Sequence, residues 1–409
     1  MSRKDRLAFI KEKAGLTDDE VSALVQPLAF ESIDRMIENA IGSISIPLGI
    51  ATNFVINGQE RLIPMAIEEP SVIAAASKAA KIARSKGGFK ADAADSFMIG
   101  QIQIVSVPDL VLAIKELEKN KQQILDAGNA KTKSVKAIDL SVRQVTDESP
   151  NDMGEMLLVE ITADAKDAMG ANAVNTICES AAPTVERLSG GQVVLKILSN
   201  YATKRMVRCS AIFDKDELGG SQVVERILYA YSLAYSDVYR AVTHNKGVMN
   251  GIDAVAVAAG QDFRAIEAAA HAYASHEGPY RSLTRWSKTA EGDLYGEIEL
   301  PLAVGTTGGI TSVNRSAKSA IKITGSENSR ELAMCMAAAG LAQNLAALRA
   351  LASEGIQKGH MKLHARNIAV TAGATVKEVD LVAAQITAEG NVTLEAARKA
   401  IDSLRLKKR

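Results

Sequence analysis

Aromatic side chains are scarce in this chain of 409 residues, which has 1 Trp, 8 Tyr and 7 Phe. Its core is therefore expected to be built from Ala, Val, Ile, Leu and Met. Cysteine is scarcer still: Cys178, Cys209 and Cys335 are far apart and odd in number, so no disulfide framework is implied. Neither sign of charge prevails, because Lys+Arg and Asp+Glu both number 48 and the formal net charge is zero. Nucleic acid and anionic membranes, which need a basic surface, are set aside as main partners, although a local basic pocket for a phosphorylated ligand is not. No apolar run reaches the ~18–20 residues that span a bilayer, and the charged start Met-Ser-Arg-Lys-Asp-Arg lacks the apolar stretch of a signal peptide. What is present is 47% hydrophobic residues, enough for a real core, over two or three typical domain lengths. The expectation is a globular, soluble, cytoplasmic protein.

Periodicity divides the chain. The first 35 residues read as helical, with Thr-Asp-Asp-Glu at 17–20 as a helix-start signal. Residues 47–56 and 61–67 read as a hairpin around Asn57-Gly58, a pair that tolerates positive φ. Glu68-Glu69-Pro70-Ser71 then opens an Ala-rich helix over 72–84. Ser85-Lys86-Gly87-Gly88 marks a boundary. Beyond it, strand-like 98–105, helical 109–126, strand-like 137–145 and 156–163, helical 171–188 and strand-like 192–198 give the order β-α-β-β-α-β of a ferredoxin-like split βαβ unit. Longer elements then return: a strand at 207–213, a helix at 222–240, an Ala-rich helical stretch over 252–274 interrupted at Gly260-Gln261-Asp262, a strand at 293–304 and a helix at 331–351. A tail from about Gly355 carries a strand-like 367–371 and a last helix from Thr393. The fold class is α+β: a large, mostly helical domain (1–88 and 199–354), an inserted ferredoxin-like domain (89–198) and a C-terminal flap (355–409).

Several residues are chemically conspicuous. Asp167-Ala-Met-Gly-Ala-Asn172 leads from a strand into an apolar helix, whose free N–H groups and dipole suit a phosphate or pyrophosphate. The plainer alternative is a helix capped by Asp167. Gly305-Thr-Thr-Gly-Gly309 is a weaker phosphate-loop candidate and reads more simply as a flexible turn. His360 and His364 stand i, i+4, but no Glu occupies the H-E-x-x-H position, so zinc is set aside and no metal is expected. At least one of Glu68 and Glu69 is expected to be buried with a raised pKa. Lys246 lies between two helical blocks with Gly247 and Gly251 around it, and Asp262 interrupts an apolar helical stretch, where an acid needs a partner. Together these are an acid, base and cation set waiting for a ligand.

Seven segments resemble, in order, the motifs of 3-hydroxy-3-methylglutaryl-CoA (HMG-CoA) reductases of the soluble class II branch found in bacteria and archaea. They are Glu38-Asn-Ala-Ile-Gly42, Glu68-Glu-Pro-Ser71, Gly100-Gln-Ile-Gln103, Asp167-Ala-Met-Gly-Ala-Asn172, Thr243-His-Asn-Lys-Gly-Val-Met-Asn250, Gly260-Gln-Asp262 and Gly359-His-Met-Lys-Leu-His364. The resemblance runs from about residue 14 to the C-terminus. It implies a four-electron reduction of HMG-CoA to mevalonate and CoA through mevaldyl-CoA and mevaldehyde. By resemblance, Lys246 offsets the charge building on the carbonyl oxygen, Glu69 delivers a proton, Asp262 sits between them and tunes both, and His360 on the flap protonates the CoA thiolate. Ser71, Arg240 and Asn250 match positions that hold the hydroxymethylglutaryl part, Arg240 suiting its carboxylate, with Gln343, Asn344 and His364 assigned to the same pocket. Asp167, Met169, Gly170 and Asn172 would bind the dinucleotide. The Glu38–Gly42 motif implies a homodimer with shared active sites, or dimers assembled into a hexamer as a trimer of dimers.

Two departures stand out. The N-terminus is shorter than in many relatives, and Arg3, Lys4 or Arg6 would have to replace a basic CoA contact. In the 126–139 region the Gly-Gly-Gly-Cys run of the branch is absent. Lys131-Thr132-Lys133 falls where NADH-using relatives carry an acid, which favours the 2′-phosphate of NADPH; Asp126 nearby competes and would favour NADH. Two other readings are weighed. An RNA-binding ferredoxin-like module would need aromatics on the sheet, and residues 98–105 have none. A different CoA- or nicotinamide-dependent enzyme on the same scaffold is not demanded, since all four catalytic-type residues are present.

Overall fold

A computed structural model describes residues 2–353 and 356–406, with only the backbone described at 312 and 356–363. Among the described residues ten strands form two sheets: β1 (Leu48–Ile56), β2 (Gln59–Ala66), β3 (Phe89–Ala93), β4 (Phe97–Val105), β5 (Lys136–Thr146), β6 (Glu155–Asp164), β7 (Gln192–Ser199), β8 (Met206–Phe213), β9 (Thr284–Lys288) and β10 (Leu294–Pro301). The larger sheet has the order β2-β1-β3-β8-β10-β9 and the smaller the order β5-β6-β4-β7. The α+β reading stands, and the large part is mostly helical by residue but organised around one of these sheets. Its centre is a six-stranded sheet, and β3 and β9, five residues each, are too short to show a period above the noise.

The hairpin of β1 and β2 turns at Asn57 and Gly58, both at positive φ (51° and 81°), the backbone that a two-residue turn demands. One face of the large sheet buries Phe54, Phe89 and Phe213, whose rings pack in sequence and reach Trp286. The four buried aromatics among the described residues are gathered in this one core; small residues fill the rest, Ala above all, on the helices Val72–Arg84, Val238–Ala258 and Ser329–Ala352. Ser329–Ala352 is long and apolar enough by length and composition to cross a membrane, yet most of it is buried inside the protein. It packs against Val238–Ala258 at very short range. A Cβ on Gly251 would lie 2.5 Å from the Ala339 carbonyl oxygen, so only glycine allows the approach.

That packing explains a correction. Gly247 and Gly251 do not separate helical blocks; Lys246 lies within the unbroken helix Val238–Ala258. The earlier break falls at Asp237, whose side chain accepts from the Arg240 N–H and starts this helix after Ser221–Ser236 ends.

The smaller sheet is antiparallel throughout. Its buried face (Met98, Ile102, Ile104, Leu157, Val159, Ile161) packs on the helices Leu110–Lys119, Lys121–Asn129 and Ala171–Ser189 as a separate core. Its strand order is that of a split βαβ sandwich. A third core lies among the C-terminal helices Ile356–Thr371, Val379–Ala388 and Leu394–Leu406. The strand expected over 367–371 is instead the end of Ile356–Thr371. Its apolar run is one face of a helix, which a five-residue window cannot distinguish from a strand.

Candidate functional site

The turn between β2 and the helix Val72–Arg84 carries Glu68, Glu69 and Pro70, and Ser71 is the N-cap. Pro70 thus precedes the helix rather than opening its first turn. Ser71 has φ 76°, a left-handed backbone costly for a side-chain residue, and its hydroxyl does not cap the helix. Lys246 Nζ reaches this turn and pairs with Glu69 Oε2 at 2.7 Å, and Asn250 Nδ2 donates to the same oxygen at 3.3 Å. Lys246 and Asn250 stand i, i+4, so one helix face presents an ammonium and an amide to one carboxylate.

Arg240 lies on the same helix. Burial lowers its pKa, and among the described residues its guanidinium has no ion-pair partner or hydrogen bond. A half-buried cation without an anion is a ready site for a ligand carboxylate. Gln343 is 7% exposed and its Oε1 is buried without a hydrogen-bond partner. Its Cβ lies 3.0 Å from where a Cβ on Gly251 would stand.

Asn344 does not join it. Its Oδ1 accepts from Thr284 Oγ1 at 2.9 Å and Trp286 Nε1 at 3.0 Å, and its Nδ2 donates to the His244 carbonyl. Asn344 is therefore a buried tie between helix and sheet, not a residue facing a ligand. His244 belongs to the same network through Thr284. Burial, then the charge of Arg240, pulls its pKa down to about 3, so it is neutral at physiological pH.

Asp262 is not brought to the Lys246–Glu69 pair within the chain. It is the N-cap of Phe263–Tyr273, accepting from the Ala265 N–H at 3.1 Å, and pairs with Arg264 at 3.1 Å. The interruption of the apolar stretch is thus a helix start, which an Asp favours without any buried partner. The His360 side chain lies outside the described residues; its backbone, and exposed His364, belong to Ile356–Thr371.

A second cluster forms at the start of Ala171–Ser189. Gly170, at φ 94°, is the N-cap and no side chain caps the helix. Asp167 is not that cap, because its Oδ1 accepts from the Ser329 N–H at 3.0 Å. The first N–H groups of a 19-residue helix are thereby left to a ligand. A Cβ on Gly170 would lie 2.8 Å from Ala165 Cβ, and Asn172 is exposed. This set fits the pyrophosphate of a dinucleotide.

Gly305-Thr-Thr-Gly-Gly309 is more than a flexible turn. The Thr306 and Thr307 N–H groups donate to the Asp167 carbonyl, and Gly305 exchanges two hydrogen bonds with the Gln261 amide. Gln261, Arg205 and Ser329 therefore hold the cluster, and sequence reasoning passed over them. The Gly260-Gln261-Asp262 motif was the one available signal. Asp262 stands next to this cluster, not next to Lys246.

Lys131 and Lys133 are exposed without ion-pair partners among the described residues, and Thr132 Oγ1 is buried without a hydrogen bond. Asp126 is held along its own helix, accepting from Gln122 Nε2 at 2.8 Å.

Comparison with known proteins places this geometry in context. Residues 2–365 match the family model described as hydroxymethylglutaryl-coenzyme A reductase. A 3-hydroxy-3-methylglutaryl-coenzyme A reductase of Archaeoglobus fulgidus is 50% identical over 99% of this chain and 93% of its own length. A probable one from Borreliella burgdorferi is 38% identical over 82% of this chain and 77% of its own. Among solved structures, a reductase of Streptococcus pneumoniae superposes with a TM-score of 0.83 at 38% identity, covering 99% of this chain and 98% of that one. A class II reductase from the same organism, bound to NADPH in open conformations, gives 0.82 at 39% identity, covering 99% and 100%. The chain belongs to the hydroxymethylglutaryl-coenzyme A reductase family of oxidoreductases.

Proposed function

We propose that this protein reduces (S)-3-hydroxy-3-methylglutaryl-CoA to mevalonate and CoA, with two equivalents of NADPH, in the mevalonate route to isoprenoids. The observation that carries the reading is the pairing of Lys246 and Asn250 with Glu69, on a helix that also presents the unpaired guanidinium of Arg240. The nicotinamide supplies hydride. Arg240 takes the free carboxylate of the substrate, and Ser71 and Gln343 hold its hydroxymethylglutaryl part, with His364 assigned there by resemblance.

As the thioester carbon is reduced, Lys246 offsets the negative charge on its oxygen and Glu69 delivers the proton, giving the hemithioacetal mevaldyl-CoA. That species returns its hydroxyl proton to Glu69 as the C–S bond breaks, releasing mevaldehyde and the CoA thiolate, which His360 protonates. A second reduction at the aldehyde, with the same ammonium and a proton again delivered through Glu69, gives mevalonate. Asp167, Met169, Gly170 and Asn172 hold the dinucleotide. The free ammonium groups of Lys131 and Lys133, with Thr132, favour the 2′-phosphate of NADPH over NADH.

The inserted domain read as 89–198 begins at β4, because β3 belongs to the larger sheet; it binds the dinucleotide, 1–88 and 199–354 bind the CoA substrate, and 355–409 close as a flap. A second copy of the chain is required. Asp262 sits beside the dinucleotide cluster of its own chain and apart from Lys246, so a second acid acting with Lys246 beside Glu69 comes from a partner, which supports a homodimer, assembled further as a trimer of dimers. The exposure of Ile41 (100%) and Ile44 (95%), within and after the Glu38–Gly42 motif, supports the same conclusion. The three cysteines are free and buried, which suits the cytoplasm.

The test is to supply HMG-CoA with NADPH or NADH and follow loss of the reduced-nicotinamide absorbance together with release of free CoA. Two nicotinamides oxidised per CoA released, faster with NADPH, is the expected result. Oxidation with neither cofactor would overturn the reading.

A further inference from the structure

Arg205 stands between β7 and β8 and is 4% exposed. Burying a guanidinium is costly unless acids or several acceptors surround it. Among the described residues no carboxylate hydrogen-bonds to it. Nη1 donates to the carbonyl oxygens of Ala168 and Met169, both at 3.2 Å, and Nη2 donates to that of Val304 at 2.6 Å. Burial draws its pKa down to about 10, against the nearby charges of Asp167 and Asp164, so the group stays protonated at neutral pH.

The three carbonyls belong to two segments far apart in sequence. Ala168 and Met169 form the turn that feeds Ala171–Ser189, and Val304 ends the stretch after β10. The segments touch so closely that a Cβ on Gly305 would lie 2.5 Å from the Met169 nitrogen. Gln261 clamps Gly305 at 2.8 and 2.9 Å, and Ser329 holds Asp167. Carbonyls brought together in this way repel one another unless a donor stands between them. A planar fork with several N–H groups can bridge carbonyls on two chain segments, and an ammonium on a flexible stem does so less well.

We infer that Arg205 is a positioning residue for the dinucleotide: its guanidinium locks Ala168 and Met169 against Val304, fixing the open N-terminus of Ala171–Ser189 where the pyrophosphate binds. The inference rests on the reading of Asp167–Asn172 as the dinucleotide site. Arg205 is buried beneath that turn and reaches ligand only through it. Its loss is therefore felt in nucleotide affinity and not in affinity for the CoA substrate.

The experiment uses the full-length protein and its Arg205→Met, Arg205→Lys, Gly170→Val and Asn172→Ala variants. NADPH binding is measured by calorimetry, and KM for HMG-CoA and thermal midpoint are measured alongside. Arg205→Met is expected to weaken NADPH binding by about tenfold or more, with KM for HMG-CoA within about twofold, since hydrogen bonds to a charged donor are worth that order. Arg205→Lys keeps the charge without the fork and is expected to lose affinity by a smaller factor.

An unchanged NADPH affinity in folded Arg205→Met, or an equal loss for both substrates, overturns the role. Should Arg205→Met not fold, Arg205→Lys decides, and wild-type NADPH affinity there overturns it equally. Gly170→Val and Asn172→Ala separate the two levels. If both bind NADPH normally, the dinucleotide reading itself fails; if both lose affinity while the Arg205 variants do not, only the positioning role fails.

Discussion

Lys246 Nζ lies 2.7 Å from Glu69 Oε2, joining the middle of a buried helix to a turn 177 positions earlier in the chain. The Lys246 side chain is 61% exposed and that of Glu69 34%. An ion pair so open to water contributes at most about 1 kcal/mol to stability, so it is not what holds the helix to the turn. On the proposed function its value is chemical: a cation and a proton carrier stand side by side for a carbonyl oxygen to meet both.

Lys246→Ala is therefore expected to leave the fold intact and to lower kcat by about 10²–10³-fold, the usual cost of removing a group that stabilises developing charge. Glu69→Gln keeps the shape and removes the proton, and a loss at least as large is expected. Steady-state turnover and a thermal melt of each variant check this. A drop in melting temperature that matched the loss of activity would point to a structural role instead.

The hairpin at Asn57-Gly58, the helix Val72–Arg84 and the smaller sheet were legible in the sequence because each rests on local signals: a turn pair, an apolar face, strict alternation. Lys246 was legible as a residue but not in its setting. Gly247 and Gly251 read as breakers, whereas glycine is required only at Gly251, where Ala339 approaches from a helix nearly ninety residues later. Asp262 looked like a buried acid in need of a partner and proved to be a helix cap. Asn344 carried a resemblance to a ligand contact, yet Thr284 and Trp286 claim its side chain. Arg205 gave no signal, because three backbone carbonyls leave no mark in a sequence. Apart from Asp262, whose cap is local, what the sequence hides is the distant half of a contact.

Ile41 and Ile44 are fully or almost fully exposed, a poor arrangement for a chain on its own. If a second copy covers them and completes the site, Ile44→Asp should convert dimers to monomers and reduce turnover by at least about tenfold, since a buried charge at an interface core is strongly unfavourable. Light scattering coupled to size exclusion gives the mass, and the same fractions give the activity. Full activity in a monomeric variant would show that one chain suffices.

On the proposed function, cofactor choice turns on Lys131 and Lys133. Replacing both by Ala removes two free ammonium groups from the expected 2′-phosphate position. kcat/KM with NADPH should fall by about tenfold or more, in line with the worth of charged hydrogen bonds. The value with NADH, which has no such phosphate, should stay within about twofold. Parallel losses with both nucleotides would place these lysines elsewhere than at the 2′ position.

Acid should unfold the large part of the molecule partly through His244. Its pKa is drawn from 6.5 down to about 3, by burial first and by Arg240 second. Between these values the unfolded chain binds a proton at this residue and the folded protein does not. Stability from this source is therefore whole above about pH 6.5 and is lost as pH falls toward 3, at up to about 1.4 kcal/mol per pH unit. His244→Gln cannot take up the proton in either state. The unfolding free energy of the wild type relative to this variant should then shrink by about 2 kcal/mol between about pH 7 and pH 5. Trp286, the single tryptophan, donates to Thr284 and Asn344 in the same network, so its fluorescence during denaturant melts reports on the region that His244 occupies. Melts whose separation did not change with pH would mean that His244 is protonated in the folded state, and that the network opens to water well before the protein unfolds.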